Sequence, residues 1–321
     1  MLAGMDRRSF LRSVPAAAAA ASLGSTAAAG AAGLGARQEP ETKEPFQLDY
    51  APSDGQFRQS AGKDLKGIDS YLAQLDWAYE HGFRSWEDNG MTRRSVEDQN
   101  KIAAKMEQLG MRMGVFVANF GTAFQPQTFT SGKKDALENF QNDLRNSVEV
   151  AKRVNAKWMT IVLGTRDPRL PIGYQHANAI EMLRRGAEIF EPHDLTMVME
   201  PLNPINHPDM YLVHSDHAYM LCKAVQSPAV KILFDIYHQA ISEGDLWRNI
   251  ERCWDETPYF QIGDNPGRKE PYTGEVNYNE LFRRIHAKGF DGILGMEHGT
   301  SQGGLEGEKK LLAAYRRADN F

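Results

Sequence analysis

The chain has 321 residues, 41% hydrophobic and 25% charged, which is typical of a globular protein with room for one large domain or two small ones. It carries 37 lysines and arginines against 42 aspartates and glutamates, a formal net charge of −5. Proteins that mainly bind nucleic acid usually present a basic surface, so this balance argues against a nucleic-acid partner.

The first 36 residues have the pattern of a twin-arginine (Tat) export signal and linker. Arg7 and Arg8 lie in the sequence DRRSFLR, and an uncharged run rich in alanine and glycine follows over residues 14–34. We therefore expect the Tat export machinery to deliver the protein to the periplasm or cell envelope, with residues 37–321 as the mature domain. The alternatives are a low-complexity cytosolic tail and an uncleaved anchor, although alanine and glycine are weakly apolar for a membrane-spanning helix.

Cysteine usage agrees with folding in the cytoplasm before export. The chain has two cysteines, Cys222 and Cys253, and each lies inside a helical pattern. We expect two partly buried thiols here, in preference to a disulfide or a metal-binding pair.

From residue 46 onward, short apolar runs alternate with amphipathic helical patterns. Strands are predicted over residues 46–51, 83–88, 111–119, 158–164, 196–200, 231–235, 259–262 and 292–297. Helices are predicted over residues 67–81, 93–109, 134–155, 177–190, 215–225, 245–254, 277–288 and 305–318. Eight such pairs, with strands too apolar to face water and no glycine-rich fingerprint at the first helix, predict an α/β fold, a single closed (β/α)8 TIM barrel.

Four predicted strands in the C-terminal half end on an oxygen-bearing side chain. These are Glu200 in MVMEPLN, Asp235 in ILFDIYH, Gln261 in YFQIGDN and Glu297 in ILGMEHG. In a TIM barrel the carboxyl ends of the strands meet at the active site. Three carboxylates and one amide suit Mg²⁺ or Mn²⁺ better than structural zinc. Any one of these acids could instead cap a helix or pair with an arginine. That explanation is weaker for four strand ends taken together.

The motifs at these strand ends resemble those of hydroxypyruvate isomerases, within the xylose isomerase-like TIM-barrel superfamily. The matching stretches are EPLN, FDIYHQAISEGDL, QIGDNPGRKEPYTGEVNY and GMEH, with a weaker echo in GFRSWEDN near Glu87. The resemblance covers most of the mature domain and is sharp from about residue 196 onward.

The resemblance implies roles for six residues. A divalent metal would be held by Glu200, Asp235, Gln261 and Glu297. Glu200 and Glu297 would also move protons, while His238 and Arg268 would contact substrate oxygens.

The implied reaction interconverts a hydroxy-ketone and a hydroxy-aldehyde, such as hydroxypyruvate and tartronate semialdehyde, through an enediolate. A divalent metal stabilises such an intermediate, and two carboxylates supply the base and the acid. Arg268 could hold a substrate carboxylate in a forked ion pair.

Other functions on the same fold stay open at this point. One is a sugar epimerase or a 3-keto-sugar lyase or hydratase, and another is a non-catalytic sugar-binding barrel of the envelope. Gln261 stands where related ketose 3-epimerases usually carry histidine, and Asn206 lacks the acid that they use, so both favour an isomerase. Each reading implies a small carbonyl or sugar-like substrate, and a secreted enzyme could use one other than hydroxypyruvate. The sequence is also compatible with a homo-oligomer.

We predict that changing Arg7 and Arg8 together to lysine keeps the protein in the cytoplasm, because the paired arginines define the export signal. Cell fractionation and immunoblotting would measure the distribution. Arg12→Lys, which leaves the pair intact, is the matched control. Unchanged export of the double variant would show that the N-terminus is not a Tat signal.

Overall fold

The computed structural model describes residues 44–321, so the signal and linker predicted for residues 1–36 lie outside the described part. The described residues belong to one compact unit. Within them, no helix has the length and apolar character needed to cross a membrane.

The described strands are short and pair in parallel. In chain order they are β1 (Tyr50–Ala51), β2 (Ser85–Trp86), β3 (Arg112–Met113), β4 (Phe116–Val117), β5 (Trp158–Ile161), β6 (Thr196–Met199), β7 (Val230–Asp235), β8 (Tyr259–Gln261) and β9 (Ile293–Gly295).

The strands close into the predicted barrel. Strands β4 to β9 pair in order and β9 pairs with β1, while β2 pairs with β3. Parallel bridges complete the ring, since Ser53 pairs with Glu87 and Met113 pairs with Ala156. The predicted third strand is divided into β3 and β4, because the Val115 N–H donates to the Tyr259 hydroxyl at 3.2 Å instead of to a neighbouring strand.

The helices surround the strands. They are α1 (Arg58–Gly62), α2 (Gly67–Glu80), α3 (Val96–Leu109), α4 (Lys134–Val154), α5 (Ile172–Phe190), α6 (Ser215–Val225), α7 (Ile236–Ser242), α8 (Leu246–Cys253), α9 (Tyr278–Ala287) and α10 (Gly304–Ala318). The eight predicted helices are present with shifts of a few residues at their ends, and α1 and α7 are additions. Both cysteines are free thiols, as predicted, and both are more deeply buried than expected.

The first predicted strand, residues 46–51, was too long. Only Tyr50 and Ala51 form β1. Upstream, the backbone N–H groups of Gln47 and Leu48 donate to the Asp319 carboxylate, at 2.7 and 3.3 Å, instead of to a strand. The segment before the barrel is therefore held by the C-terminal end of α10.

A small apolar cluster from six of the barrel's segments supports the mouth of the barrel, and we call it the floor layer. Its buried members are Ala51, Val115, Val198, Leu233, Tyr259 and Ile293. A larger apolar cluster packs the strands against the helices. The floor layer excludes water beneath the polar residues that end the strands.

Candidate active site

The floor layer fixes the direction of the four predicted metal ligands, because side chains alternate between the two faces of a strand. Asp235 lies two residues after Leu233 of that layer, and the same step leads to Glu200 and to Gln261. Glu297 lies two such steps beyond its floor residue. Asp235, Glu200 and Gln261 are buried, whereas the Glu297 side chain keeps 29% of its surface exposed at the mouth.

Arg268, predicted to bind substrate, lies between two of these acids. Its Nη2 donates to Glu297 Oε2 at 2.7 Å and to Asp235 Oδ2 at 3.3 Å. Its Nε donates to the Glu297 carbonyl oxygen at 3.2 Å. The guanidinium also lies 5.1 Å from the centre of the Tyr237 ring. These contacts hold Arg268 over the site.

His238 lies in the first turn of α7, where the Asp235 side chain accepts hydrogen bonds from backbone N–H groups. The Asn203 backbone N–H lies 3.1 Å from His238 Nδ1, and a backbone N–H can only donate, so Nδ1 accepts. The hydrogen of the neutral ring is therefore on Nε2. Burial, with some help from Arg268, lowers the pKa of His238 to about 4. At neutral pH the ring presents an N–H to the site.

The His238 tautomer bears on metal binding. Glu200, Asp235 and His238 offer ligand atoms that lie within 4.8 Å of one another, which is close enough for one ion. Metal-bound histidines usually donate their second ring N–H, whereas His238 accepts a hydrogen bond there. Its Nε2 carries the hydrogen and offers no lone pair to a metal. We therefore place His238 beside the ligand set, as a hydrogen-bond donor.

Gln261 has one free oxygen that fits a cation. Its Nε2 donates to Glu87 Oε1 at 2.9 Å, and Glu87 Oε2 accepts from the Tyr259 hydroxyl at 2.7 Å. The other amide atom, Gln261 Oε1, is buried and has no hydrogen-bond partner among the described residues. An unpaired buried oxygen beside several carboxylates suits Mg²⁺ or Mn²⁺.

Two residues at the end of β2 were given no role by the sequence. Glu87 contacts Gln261, and Asn89 Nδ2 donates to Glu297 Oε1 at 3.1 Å. The available signal was the polar run Glu87-Asp88-Asn89 directly after an apolar strand, the place where TIM barrels put functional residues. Each contacts a different predicted ligand.

The protein environment raises the pKa of three carboxyl groups of the site. Burial and the nearby Glu297 raise the pKa of Glu87, whereas the two hydrogen bonds that it accepts favour its ionised form. Glu297 keeps 29% of its side-chain surface exposed, but the surrounding protein still reduces the hydration of its carboxyl group. This raises its pKa to about 7, although Arg268 acts in the opposite direction. Burial and then the charges of Glu297 and Asp235 raise the pKa of Glu200 well above its usual range. A bound cation would relieve this repulsion.

Loops after β4 and β6 form one wall of the site. The Phe124 ring stacks on His207 at 5.8 Å, and the His207 ring lies 5.4 Å from that of His238. Nearby, Asn206 Oδ1 accepts from the Tyr237 hydroxyl at 2.8 Å. Asn206 therefore holds Tyr237 in this wall of the site through an uncharged amide group.

Comparison with known proteins places the chain in a family. The sequence model of the xylose isomerase-like TIM barrel family matches residues 75–318. Hydroxypyruvate isomerase of Escherichia coli (strain K12) is 31% identical over 248 residues, covering 75% of this chain and 93% of that protein. The 2-oxo-tetronate isomerase of Pectobacterium atrosepticum is 25% identical, covering 64% of this chain and 79% of that protein.

Solved structures agree on the fold. The 3-keto-D-glucoside 4-epimerase of E. coli superposes with a TM-score of 0.67 and 16% identity, covering 84% of this chain and 99% of that chain. At this identity the similarity concerns the barrel alone.

We predict that the protein stripped of metal by a chelator loses thermal stability as the pH rises from about 5.5 to about 8. Glu297 keeps its proton in the folded state up to about pH 7, whereas unfolded glutamates ionise near 4.5. The folded state then binds more protons than the unfolded state, so the free energy of unfolding falls with pH. Calorimetry should show a drop of several degrees in Tm.

Two comparisons complete this test. Glu297→Gln should flatten the pH dependence, because it removes one of the titrating groups, and Mn²⁺ should raise Tm more at the higher pH. As a control, Glu306→Gln changes an exposed glutamate of α10 and should leave the slope unchanged. A Tm of the stripped protein that rises over this pH range would contradict the assignment.

Proposed function

Because the chain belongs to the xylose isomerase-like TIM barrel family, we propose that it is a metal-dependent isomerase of a small hydroxy-keto acid of the hydroxypyruvate type. Its relatives support an isomerase, and the substrate, metal and mechanism are our proposal. One observation carries it. Two glutamates from different strands, Glu200 and Glu297, face the same space as Arg268 and His238, which can orient a substrate.

The metal site is proposed from the donor set. Glu200, Asp235, Gln261 and Glu297 would hold Mg²⁺ or Mn²⁺, since all four offer oxygen and Gln261 Oε1 is unpaired. When bound, the cation would act as a Lewis acid that stabilises negative charge developing on the substrate oxygens.

The chain's own carboxylates would move the proton. The reaction removes a proton from the hydroxyl-bearing carbon next to the carbonyl and returns one to the neighbouring carbon. Glu200 directly follows β6, and Glu297 lies two residues after β9. The two approach the site from different strands, so one carboxylate can act as base and the other as acid. Asn89 orients Glu297 by donating to its Oε1, which leaves Oε2 for Arg268 and the substrate.

Two donors would orient the substrate. Arg268 has a planar guanidinium that can pair with a substrate carboxylate through two N–H groups. His238 presents its Nε2–H, which has no hydrogen-bond partner among residues 44–321 and lies 3.7 Å from Glu200 and 3.5 Å from Asp235. A substrate oxygen would accept this hydrogen.

One observation bears on the epimerase alternative. Asn206 lies where related ketose 3-epimerases use an acid, and here it accepts from Tyr237 and from Asn203. A neutral amide held in this way cannot transfer a proton, so the isomerase is favoured. Export through the Tat pathway is also part of the proposal, and it would place the activity in the periplasm or cell envelope.

We predict that a chelator abolishes turnover of hydroxypyruvate and that Mg²⁺, Mn²⁺ or Co²⁺ restores it. A coupled assay for tartronate semialdehyde would follow the product, with longer hydroxy-keto acids and 3-keto sugars tested in parallel. Full activity without metal would refute the four-ligand assignment. Turnover confined to 3-keto sugars would replace the isomerase by an epimerase or lyase, and binding without turnover would indicate a sugar-binding protein.

A second prediction separates proton carriers from ligands. Glu200→Gln and Glu297→Gln keep an oxygen but lose the base, so metal affinity should weaken modestly while turnover falls roughly 10² to 10⁴-fold. Gln261→Ala removes a ligand alone, so excess metal should restore part of its activity.

Solvent-deuterium exchange at the hydroxyl-bearing carbon next to the substrate carbonyl measures proton removal directly in these variants. We expect exchange to be lost in at least one glutamate variant and to persist in Gln261→Ala at saturating metal. Exchange at the wild-type rate in both glutamate variants would refute the acid–base pair and leave the metal site standing.

A further inference from the structure

Glu87 is a buried carboxylate to which neither the proposed chemistry nor the proposed ligand set gives a role. It follows β2 and receives two hydrogen bonds from β8, from Gln261 Nε2 at 2.9 Å and from Tyr259 Oη at 2.7 Å. These donors are two residues apart on one strand, so they point to the same face. Glu87 therefore lies directly below one predicted ligand.

The directions of these hydrogen bonds follow from the network. Tyr259 Oη already accepts from the Val115 backbone N–H at 3.2 Å, so its own hydrogen points to Glu87 Oε2. Both Glu87 oxygens then act as acceptors, as in a carboxylate. If the Gln261 amide were reversed, its oxygen would face Glu87 Oε1, and two acceptors would oppose each other. The network therefore holds Gln261 Nε2 toward Glu87 and leaves Gln261 Oε1 free.

The space around Glu87 is built for this arrangement by two glycines. A Cβ atom at Gly295 would lie 1.8 Å from Glu87 Oε2, and one at Gly114 would lie 2.5 Å from Tyr259 Oη. Any larger residue at either position would force Glu87 or Tyr259 to move. The carboxylate thus occupies a fitted position between β2, β8 and β9.

An amide ligand needs such support, whereas a carboxylate ligand does not. The two oxygens of Glu200 or of Asp235 are equivalent, so either can face a cation. A glutamine has one oxygen and one NH₂ group, and the reversed amide would present hydrogens to the cation. A second residue must therefore choose which end of the amide faces the metal.

We infer that Glu87 is a positioning residue that fixes the Gln261 amide with its oxygen toward the divalent cation. The inference rests on the metal of the proposed function. Glu87 does not touch the cation or the substrate, and it acts through Gln261.

The experiment measures Mn²⁺ affinity by calorimetry and electron paramagnetic resonance on chelator-stripped protein, without any assay of activity. Glu87→Gln has nearly the same shape but can also donate, so it no longer selects one orientation of the Gln261 amide. We expect Mn²⁺ affinity to fall roughly 10- to 100-fold. In a Gln261→Ala background, Glu87→Gln should have a much smaller effect, since only the loss of a nearby charge remains.

A charge-conserving exchange gives the sharper test. Combining Glu87→Gln with Gln261→Glu keeps the net charge and the hydrogen bond but makes the ligand a carboxylate, which needs no orientation. This double variant should bind Mn²⁺ at least as well as wild type, although Glu87→Gln alone binds poorly. Tyr259→Phe removes the other hydrogen bond to Glu87. It should lower Tm but leave Mn²⁺ affinity within about 3-fold of wild type, a smaller loss than is typical when a residue that hydrogen-bonds a metal ligand is changed.

The outcomes distinguish this inference from the proposed function. Wild-type protein that does not bind Mn²⁺ overturns both the metal and the role of Glu87. Wild-type protein that binds, with Glu87→Gln equal to it, overturns the role of Glu87 alone. A charge-exchanged variant no better than Glu87→Gln also overturns it, because lost packing would explain both. Thermal unfolding confirms that each variant is folded, and the exchanged pair keeps the test decisive if Glu87→Gln unfolds.

Discussion

Burial of several acids at one end of the barrel is the constraint on which the site depends. Carboxylates that are removed from water lose their hydration and repel one another. Their burial is therefore tolerated only where hydrogen-bond donors or cationic side chains replace the lost water. Arg268 pairs with Asp235 and Glu297, and Tyr259 and Gln261 donate to Glu87. The floor layer keeps the site dry from below, which strengthens each of these interactions.

Strands and loops contribute differently to the site. The parallel strands place the acids, because each position follows rigidly from the two-residue period above the floor layer. Donors come from other segments, His238 from the first turn of α7 and Arg268 from the loop after β8. Asp235 joins the two groups, since its Oδ1 caps α7 while its Oδ2 faces Arg268. A change at Asp235 would therefore move His238 as well as remove a ligand.

The sequence could predict the barrel and the strand-end acids because both depend on local periodicity. It did not predict α7, since seven residues are too few to show a helical period and the helix start depends on the Asp235 cap. The His238 tautomer depends on a backbone N–H from another loop, that of Asn203. The contact between Glu87 and Gln261 joins residues far apart in the chain, so it depends on the closure of the barrel.

The amide at the fourth ligand position has an electrostatic consequence. A carboxylate at Gln261 would bring one more negative charge against Glu200, Asp235 and Glu297. Burial and then the charges of the other two acids already raise the pKa of Glu200. The chain instead keeps that charge on Glu87, one hydrogen bond further from the proposed cation. The negative charge still contributes to the local field, while the ligand itself is neutral. The cost is that the ligand must be oriented, and the Glu87 hydrogen bond meets that requirement.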